Sequence, residues 1–238
     1  MTLNWATSAL SWWEEAGVDT IVGEEPRDWL NAKAKAAAPL PAAAAAPDAA
    51  ATNAFPDSLD AFHAWLAETG SLPFAGPSAP RLAPAGDPAS GLMMLTDMPS
   101  TEDAAAGTFF SGEAGALFDK MLAAIGRSRE TVYLAAFSPI RPPAGRIDDE
   151  GVARLVRIAR HHVGLARPRA LLLFGDSCAR ALIGMPMTAA RGRWHALETP
   201  TGPIRTLATM RPHDLLTQPK WKAHAWADLQ LLMEELKP

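Results

Sequence analysis

From residue 91 onward, the chain alternates short apolar runs with longer amphipathic stretches. The apolar runs predict strands at residues 91–95, 131–137, 170–174 and 204–207. Apolar positions at helical spacing predict helices at residues 114–125, 149–164, 177–182 and 222–235. Apolar strands that alternate with helices are typical of a parallel sheet covered on both faces. The pattern therefore predicts an α/β fold, a three-layer α/β/α sandwich with a small four-stranded parallel sheet.

The first part of the chain is organised differently. An aromatic and aliphatic face predicts an N-terminal helical segment within residues 1–31. Residues 32–56 are rich in alanine and proline and predict a linker, because the prolines interrupt any helix. A further helix is expected between Ser58, which can cap its start, and Gly70, which can end it. The main domain is then expected to span residues 57–238.

Composition limits the classes of protein that this chain can represent. With 238 residues, of which 48% are hydrophobic, the chain can bury one ordinary core and still carry a linker. Its single cysteine, Cys178, excludes an intramolecular disulfide and is expected to be a small buried hydrophobe. The sequence contains neither an apolar run that could span a bilayer nor the pattern of an export signal, so we expect a cytoplasmic protein.

Several chemical signatures are missing from the sequence. His, Cys, Asp and Glu residues do not recur at the spacing of metal ligands, and there is no GxSxG elbow. A Rossmann nucleotide-binding fold is the competing interpretation of the alternating pattern. It is disfavoured because neither GxGxxG nor GxxxxGK[ST] follows a predicted strand.

Residues 92–120 carry the most informative motif. They read LMMLTDMPSTEDAAAGTFFSGEAGALFDK, a buried strand followed by a turn, a glycine-punctuated loop and a helix. The spacing from Pro99 to Phe110 and on to the next glycines resembles the first motif of the family 4 uracil-DNA glycosylases. That motif is GE-small-PG, then acidic residues, then PF-x-G-x-x-G. Asp97 stands at the acidic position before the proline, whereas the glycines that flank this position in the family are replaced.

The resemblance continues in register through four further segments. VYLAAFSPIRPPAGR resembles the second motif, a strand with an RPPGNR-like loop, and RPRALLLFGDSCARALIG resembles the core strand and its helix. RGRWH and LATMRPHDLLTQP are similar to a loop and to the final active-site motif, T-aromatic-HP-x-x-LL. The opening, SWWEEAGVDTIVGEEP, is similar to the N-terminal helix of alphaproteobacterial members. The resemblance implies a uracil-DNA glycosylase-like fold, with DNA as the expected partner of a monomeric protein.

Family 4 enzymes characteristically carry a [4Fe–4S] cluster. The positions where its ligands would fall read GSLPFAG around Leu72 and FSPIRPP around Ser138. One thiol cannot supply the four thiolates that such a cluster needs within one chain. We therefore expect no cofactor and no metal.

The resemblance also assigns roles in base excision, which requires a flipped nucleotide, a stacking surface and stabilisation of the leaving base. Phe110 matches the stacking phenylalanine, although any core would contain such a residue. Asp97 matches the acidic residue that positions water. Ala136 falls at the asparagine that reads the uracil edge, and Arg211 falls at the histidine that stabilises the leaving base. Alanine has no side-chain hydrogen bond to offer, so we expect weak recognition of uracil.

His213 is a further catalytic candidate, because it is expected in the first turn of a helix, where the neutral imidazole is favoured. An exposed surface histidine is the alternative. The net charge of −4 gives no overall attraction to DNA, so binding must depend on a local patch. His195, in the RGRWH loop, is a weaker candidate for contact with phosphate. The candidates for DNA binding, which could equally be solvated surface residues, are Arg141, Arg146, Arg191 and Arg193.

Three functional interpretations follow from these features. The first is a glycosylase with an altered site, which excises a damaged base by hydrolysis of the N-glycosidic bond. The second is a catalytically degenerate glycosylase fold that binds DNA or a repair-protein partner. The third is an unrelated small α/β hydrolase.

Overall fold

A computed structural model describes residues 55–76, 79–143 and 145–237. The strands of this part are β1 Ala85–Gly86, β2 Leu92–Thr96, β3 Tyr133–Ala136, β4 Ala170–Phe174, β5 His195–Thr199 and β6 Gly202–Thr209. They form one six-stranded sheet within the described residues, in the order β1-β3-β2-β4-β6-β5. The four central strands are parallel, and β1 and β5 pair antiparallel at the two edges.

Eight α-helices lie in the same part of the chain. They are α1 Leu59–Glu68, α2 Thr101–Ala106, α3 Gly112–Ala124, α4 Asp149–Ala166, α5 Asp176–Ile183, α6 Met187–Ala190, α7 Pro212–Thr217 and α8 Lys222–Glu235. Polar residues fix where several of them begin. The Ser58 side chain accepts a hydrogen bond from a backbone N–H of α1, and Asp148 does the same for α4.

Alternate residues of the central strands point to opposite faces of the sheet and build two cores. On one face, Met93 and Leu95 of β2 pack with buried residues of α1, α4 and α5, including Cys178. On the other face, Leu92 and Met94 pack with buried residues of α3 and α8. Helices therefore cover both faces, and the predicted three-layer α/β/α fold is confirmed, as is the burial of Cys178.

The four predicted strands are the four parallel strands, but the sheet has two more strands than predicted. Both residues of β1 are exposed, and β5 has a single buried residue between exposed neighbours, so neither gives the apolar run that marks a parallel strand. Helices α2 and α6, of six and four residues, are too short to show a periodicity. His195 begins strand β5, so its expected location in a loop is wrong.

The helix expected between Ser58 and Gly70 is confirmed as α1. The predicted N-terminal segment and all but the last two residues of the predicted linker lie outside the described residues. Among the helices that the structure does describe, none has both the length and the hydropathy needed to cross a membrane.

The winding of the sheet determines where a ligand can bind. β3 lies on one side of β2, and the next parallel strand, β4, lies on the other side. In such sheets a crevice opens at the carboxyl ends of the two strands where the winding reverses. Asp97 directly follows β2 and Gly175 directly follows β4, so both lie at this crevice.

Candidate active site

A cleft of about 550 Å³ opens at this edge of the sheet. Its walls come from the turn after β2, from α2 and the start of α3, from the loop after β3, and from the starts of α5 and α7. Five of the ten candidate residues predicted from the sequence line this cleft, namely Asp97, Phe110, Arg141, Arg211 and His213.

Asp97 lines the cleft with only 3% of its surface exposed. Its Oδ1 accepts a hydrogen bond from the backbone N–H of Cys178 at 2.8 Å, and its Oδ2 lies 3.5 Å from Nη1 of Arg211. Burial raises the pKa of the carboxyl above its ordinary value, although hydrogen bonds from Cys178 and Ser177 and the charge of Arg211 oppose the rise. A carboxylate with a raised pKa accepts a proton more readily, as a general base must.

Arg211 is the residue immediately before α7. Its Nε and Nη2 donate to the two carboxylate oxygens of Asp214 at 3.0 and 2.9 Å. Although partial burial opposes the effect, the hydrogen bonds and charge of Asp214, together with the charge of Asp97, raise the pKa of the guanidinium. Arg211 therefore carries a permanent positive charge next to the buried Asp97 carboxyl.

Gly175 allows these two side chains to approach each other. Its φ of 96° lies in the region that residues with a Cβ rarely adopt. A Cβ at this position would lie 2.5 Å from Oδ2 of Asp97 and 3.0 Å from Cδ of Arg211. Gly175 was not among the site residues predicted from the sequence, although a glycine directly after a buried strand is a signal of close backbone approach.

Gly175→Ala is expected to lower the free energy of unfolding by about 2–4 kcal/mol, because it combines overpacking with a backbone conformation, φ 96° and ψ 170°, that only glycine adopts readily. Gly184→Ala is the control for a positive φ without a close contact, since Gly184 has a φ of 85° and a ψ of 11° and no other atom lies within 4 Å of the added Cβ. The control should lose only about 1 kcal/mol. Urea denaturation of both variants measures the difference, and equal losses would contradict the steric role of Gly175.

Ring contacts and a hydrogen bond to its backbone carbonyl fix the position of Phe110. Its φ is 52°, and its ring centroid lies 4.5 Å from that of Phe118 and 5.5 Å from that of Phe174. Arg129 donates to its carbonyl oxygen at 2.8 Å, and a Cβ on Gly115 would lie 2.0 Å from the same oxygen. The second glycine of the motif therefore makes room for the Phe110 carbonyl. Sequence reasoning missed Arg129, which is far from this motif in the chain.

The loop that carries Phe110 is fixed by Asp103. This carboxylate accepts hydrogen bonds from the backbone N–H of Ser100 at 2.9 Å and from the N–H and hydroxyl of Ser111, both at 2.7 Å. Ser100 in turn caps α2, which completes a capping box. Although burial opposes them, these hydrogen bonds lower the pKa of Asp103. The acidic residue in the motif is therefore a structural link between the start of α2 and the start of α3.

His213 and Ala136, the two remaining candidates for contact with a base, differ in location. His213 is exposed in the first turn of α7 and lines the cleft, so its expected helical position is confirmed. Ala136 ends β3 and pairs in register with Thr96, but in the described structure it lines a much smaller cavity with Phe137 and Pro139. Its assigned role in reading a base edge stays a prediction.

The four predicted DNA-binding arginines have different surroundings. Arg141 lines the cleft and donates to the carbonyl of Pro99 at 3.2 Å. Arg146 and Arg193 are exposed. Arg191 instead donates to both carboxylate oxygens of Asp228, with the closest contact at 2.9 Å. His195 was the weaker candidate for contact with phosphate. Its Nε2 is hydrogen-bonded to the carbonyl oxygen of Ala190 at 2.7 Å.

Asp228 is fully buried on α8 and is shared by three partners. Besides Arg191, it accepts hydrogen bonds from the hydroxyl of Thr209 at 2.9 Å and from the backbone N–H of Gly192 at 3.1 Å. Burial raises the pKa of this carboxyl, and these partners oppose the rise. Arg191 thus links the RGRWH segment to α8, a role that the sequence did not suggest.

These features define an α/β sandwich whose polar cleft lies at the carboxyl ends of its parallel strands. A family model described as the uracil DNA glycosylase superfamily matches residues 83–230. The match covers more than half of the chain and includes the strands, the cleft and α7. The chain belongs to the uracil DNA glycosylase superfamily.

The residues at the expected ligand positions do not fit an iron–sulfur cluster. The chain has one cysteine, and burial, reinforced by the charge of Asp97, raises the pKa of its thiol well above the ordinary value. Within residues 55–76, 79–143 and 145–237, no three His, Cys, Asp or Glu side chains are grouped to hold a metal ion. Around the expected ligand positions, Leu72 is buried in a core, and the hydroxyl of Ser138 donates to the carbonyl of Ile140.

Anaerobically purified protein is therefore expected to be colourless and free of stoichiometric iron, because a buried single thiol cannot hold the cluster. An absorption spectrum and an iron analysis check this expectation. A broad band in the visible region together with stoichiometric iron would contradict it and would require thiolates from more than one chain.

Proposed function

We propose that this protein excises a damaged base from DNA by hydrolysing its N-glycosidic bond in the cleft next to Asp97. The observation that carries the proposal is the grouping of a buried carboxyl, a permanent cation and an aromatic ring at one crevice: Asp97, Arg211 and Phe110. The cleft volume of about 550 Å³ is ample for a single nucleobase flipped out of the stack.

The residues suggest a division of roles. Water attacks the sugar carbon C1′ as the bond to the base breaks, and Asp97 accepts the proton that the water gives up. The electron pair of the broken bond stays on the base, and Arg211 stabilises the resulting negative charge. Phe110 offers an apolar surface for the flipped base, and His213 is close enough to the cleft to contact the base or its phosphate.

We further propose that uracil is a poor substrate. A site that reads a polar edge by hydrogen bonding owes much of its selectivity to the groups that make those bonds. Ala136 has no such group, and Arg211 replaces the family's histidine. The Ala136→Asn, Arg211→His double variant is the informative companion, since a gain in uracil excision over the wild type would support the assignment of both positions.

A catalytically silent fold that binds DNA or a repair protein is the second candidate. Two observations favour it: the missing amide at Ala136, and the contact between Arg211 and Asp97, which neutralises part of the charge of both groups. A single experiment separates the candidates. Oligonucleotides that each carry one deaminated base are incubated with excess protein, and abasic sites are detected by alkaline cleavage.

We expect the protein to bind DNA in a salt-dependent way. The exposed Arg146 and Arg193 lie in segments that resemble DNA-facing loops of the family, and each phosphate contact adds about 0.7–0.9 to the slope of log K against log salt. The Arg146→Ala, Arg193→Ala double variant should therefore lower that slope by about 1.5 in fluorescence anisotropy with a labelled oligonucleotide. Arg157→Ala, an exposed arginine of α4, is the control and should leave the slope unchanged. Binding of the wild type that does not respond to salt would remove the nucleic-acid proposals.

A further inference from the structure

Arg211 lies between two carboxylates that hold it unequally. Asp214 accepts from Nε and Nη2 in a two-point contact at 3.0 and 2.9 Å, whereas Asp97 faces only Nη1 at 3.5 Å. Two parallel hydrogen bonds between a guanidinium and a carboxylate are the strongest geometry available to this pair. The guanidinium is planar and rigid, so fixing its Nε–Nη2 edge also fixes the direction of the remaining Nη1 edge.

We infer that Asp214 is a positioning residue that holds the Nε–Nη2 edge of Arg211, so that Asp97 keeps a single long contact and remains able to accept a proton. The effect of Asp214 on catalysis rests on the proposed function. Its contact with Arg211 and its effect on the protonation of Asp97 do not. Without Asp214, the two-point edge of Arg211 would be free to turn towards Asp97. Asp97 would then become a fully paired carboxylate with little tendency to take a proton from water.

The local backbone explains why Asp214 can do this. Arg211 directly precedes α7 and Asp214 is its third residue, so the two side chains lie on the same face of the first turn. A carboxylate in the first turn is also favoured by the unpaired N–H groups of the helix start. Asp214 is 26% exposed in its side chain, so it is accessible to substitution without opening the core.

The charges around Asp97 come from several elements. The two-point contact between Asp214 and Arg211, the clamp, controls how Arg211 faces Asp97. The carboxyl is buried, and the charge of Arg211 opposes the effect of burial on its pKa. The charge of Arg211 also helps to lower the pKa of Asp176 in the first turn of α5. The charged and titratable groups at the cleft and next to Asp97 are Glu102 and Asp103 on α2, Arg141 after β3, Asp176 and Cys178 on α5, and Arg211, His213 and Asp214 at α7.

The test follows the protonation of Asp97 itself and needs no activity. The side-chain carboxyl carbon of Asp97 is titrated by NMR in the full-length protein, with Asp97→Asn used to assign its signal. Asp214→Asn keeps the size of the side chain but removes the second charged acceptor, and we expect the midpoint of Asp97 to move to lower pH. Asp214→Glu restores a two-point carboxylate and should keep the midpoint close to that of the wild type. A midpoint unchanged in Asp214→Asn would overturn the inference.

A double-mutant cycle separates positioning from the direct effect of one carboxylate on another. In the Arg211→Ala background there is no guanidinium to release, so Asp214→Asn should move the Asp97 midpoint much less than it does in the wild type. Equal shifts in the two backgrounds would mean that Asp214 acts on Asp97 directly and would contradict the positioning role. Arg211→Ala alone should raise the midpoint, because it removes the nearby positive charge.

The catalytic consequence is measured separately on a base that the wild type excises. Asp214→Asn should lower the single-turnover rate about 100-fold at neutral pH, with substrate affinity changed much less, and Asp214→Glu should recover most of the rate. If the titration behaves as expected but no deaminated base is excised by any form of the protein, the clamp stands and the proposed function fails. If excision occurs but is indifferent to Asp214, the proposed function stands and the inference fails.

Discussion

Asp97→Asn is expected to lower the single-turnover rate of base excision about 100- to 10,000-fold, because the amide cannot accept a proton from the attacking water. The substitution is nearly isosteric, and the amide oxygen can still accept the hydrogen bond that the backbone N–H of Cys178 donates at 2.8 Å. Single-turnover release of the base from an oligonucleotide, followed by alkaline cleavage of the abasic site, measures the effect.

The same variant should not be less stable than the wild type. Burial raises the folded-state pKa of Asp97, so this group contributes stability at low pH that is lost as pH rises through the folded-state pKa. Asn stays neutral throughout, and the free energy of unfolding of Asp97→Asn should therefore fall less than that of the wild type between pH 4 and pH 8. An Asp97→Asn protein that excises bases at the wild-type rate would show that Asp97 is not the base.

Arg191→Ala is expected to lower the free energy of unfolding by about 3–5 kcal/mol, because it leaves the charge of fully buried Asp228 without its ionic partner. The loss should be smaller at acidic pH. Asp228 already has a raised pKa from burial, and removing Arg191 raises it further, so the stability of the variant declines as pH rises through that higher value. Urea denaturation at two pH values measures both effects.

The matched control is Arg193→Ala, an exposed arginine two residues further along, which should change the free energy of unfolding by no more than about 0.5 kcal/mol. The Arg191→Ala, Asp228→Ala double variant should cost less than the sum of its single substitutions, because the ion pair is then removed as a unit. A stable Arg191→Ala protein that has lost affinity for DNA would instead assign Arg191 to the nucleic-acid interface.

The parallel strands could be predicted because a strand that is buried on both faces is a run of consecutive apolar residues. All five residues of β2 and of β4 are buried, and Thr96 at the end of β2 is the one polar residue among them. The amphipathic helices between the strands are long enough to show their period. The edge strands contain no such run. β5 is half exposed, and its pairing with β6 depends on a turn at residues 199–202 rather than on its own composition.

The site residues that lie in recognisable motifs could be predicted from the sequence. Those whose roles depend on contacts in the folded structure could not. Asp97, Phe110 and Arg211 were identified from their places in motifs, and all three line one cleft. Gly175 and Asp214 were not identified, because no family motif marks them and their roles depend on close contacts between side chains. For Asp214, the spacing of three residues from Arg211 at a helix start was an available signal.

Arg191 and Arg193 show what the sequence could not distinguish. In the sequence, Arg191 and Arg193 are equivalent members of one RGRWH segment. In the structure, one is bound to a buried carboxylate and the other is exposed, since only Arg191 can reach Asp228 on a helix that begins more than thirty residues later. Charge in a loop therefore indicated where cations occur, but not which of them remain available to a phosphate.

The most direct test of the proposed activity is a single-turnover assay with the wild-type protein in excess over oligonucleotides that each contain one uracil, hypoxanthine or xanthine, in single- and double-stranded form. We predict that at least one deaminated base is released to leave an abasic site, that uracil is released slowly or not at all, and that Asp97→Asn slows the release about 100- to 10,000-fold. Binding of these oligonucleotides without release of any base would contradict base excision and support the catalytically silent, DNA-binding alternative.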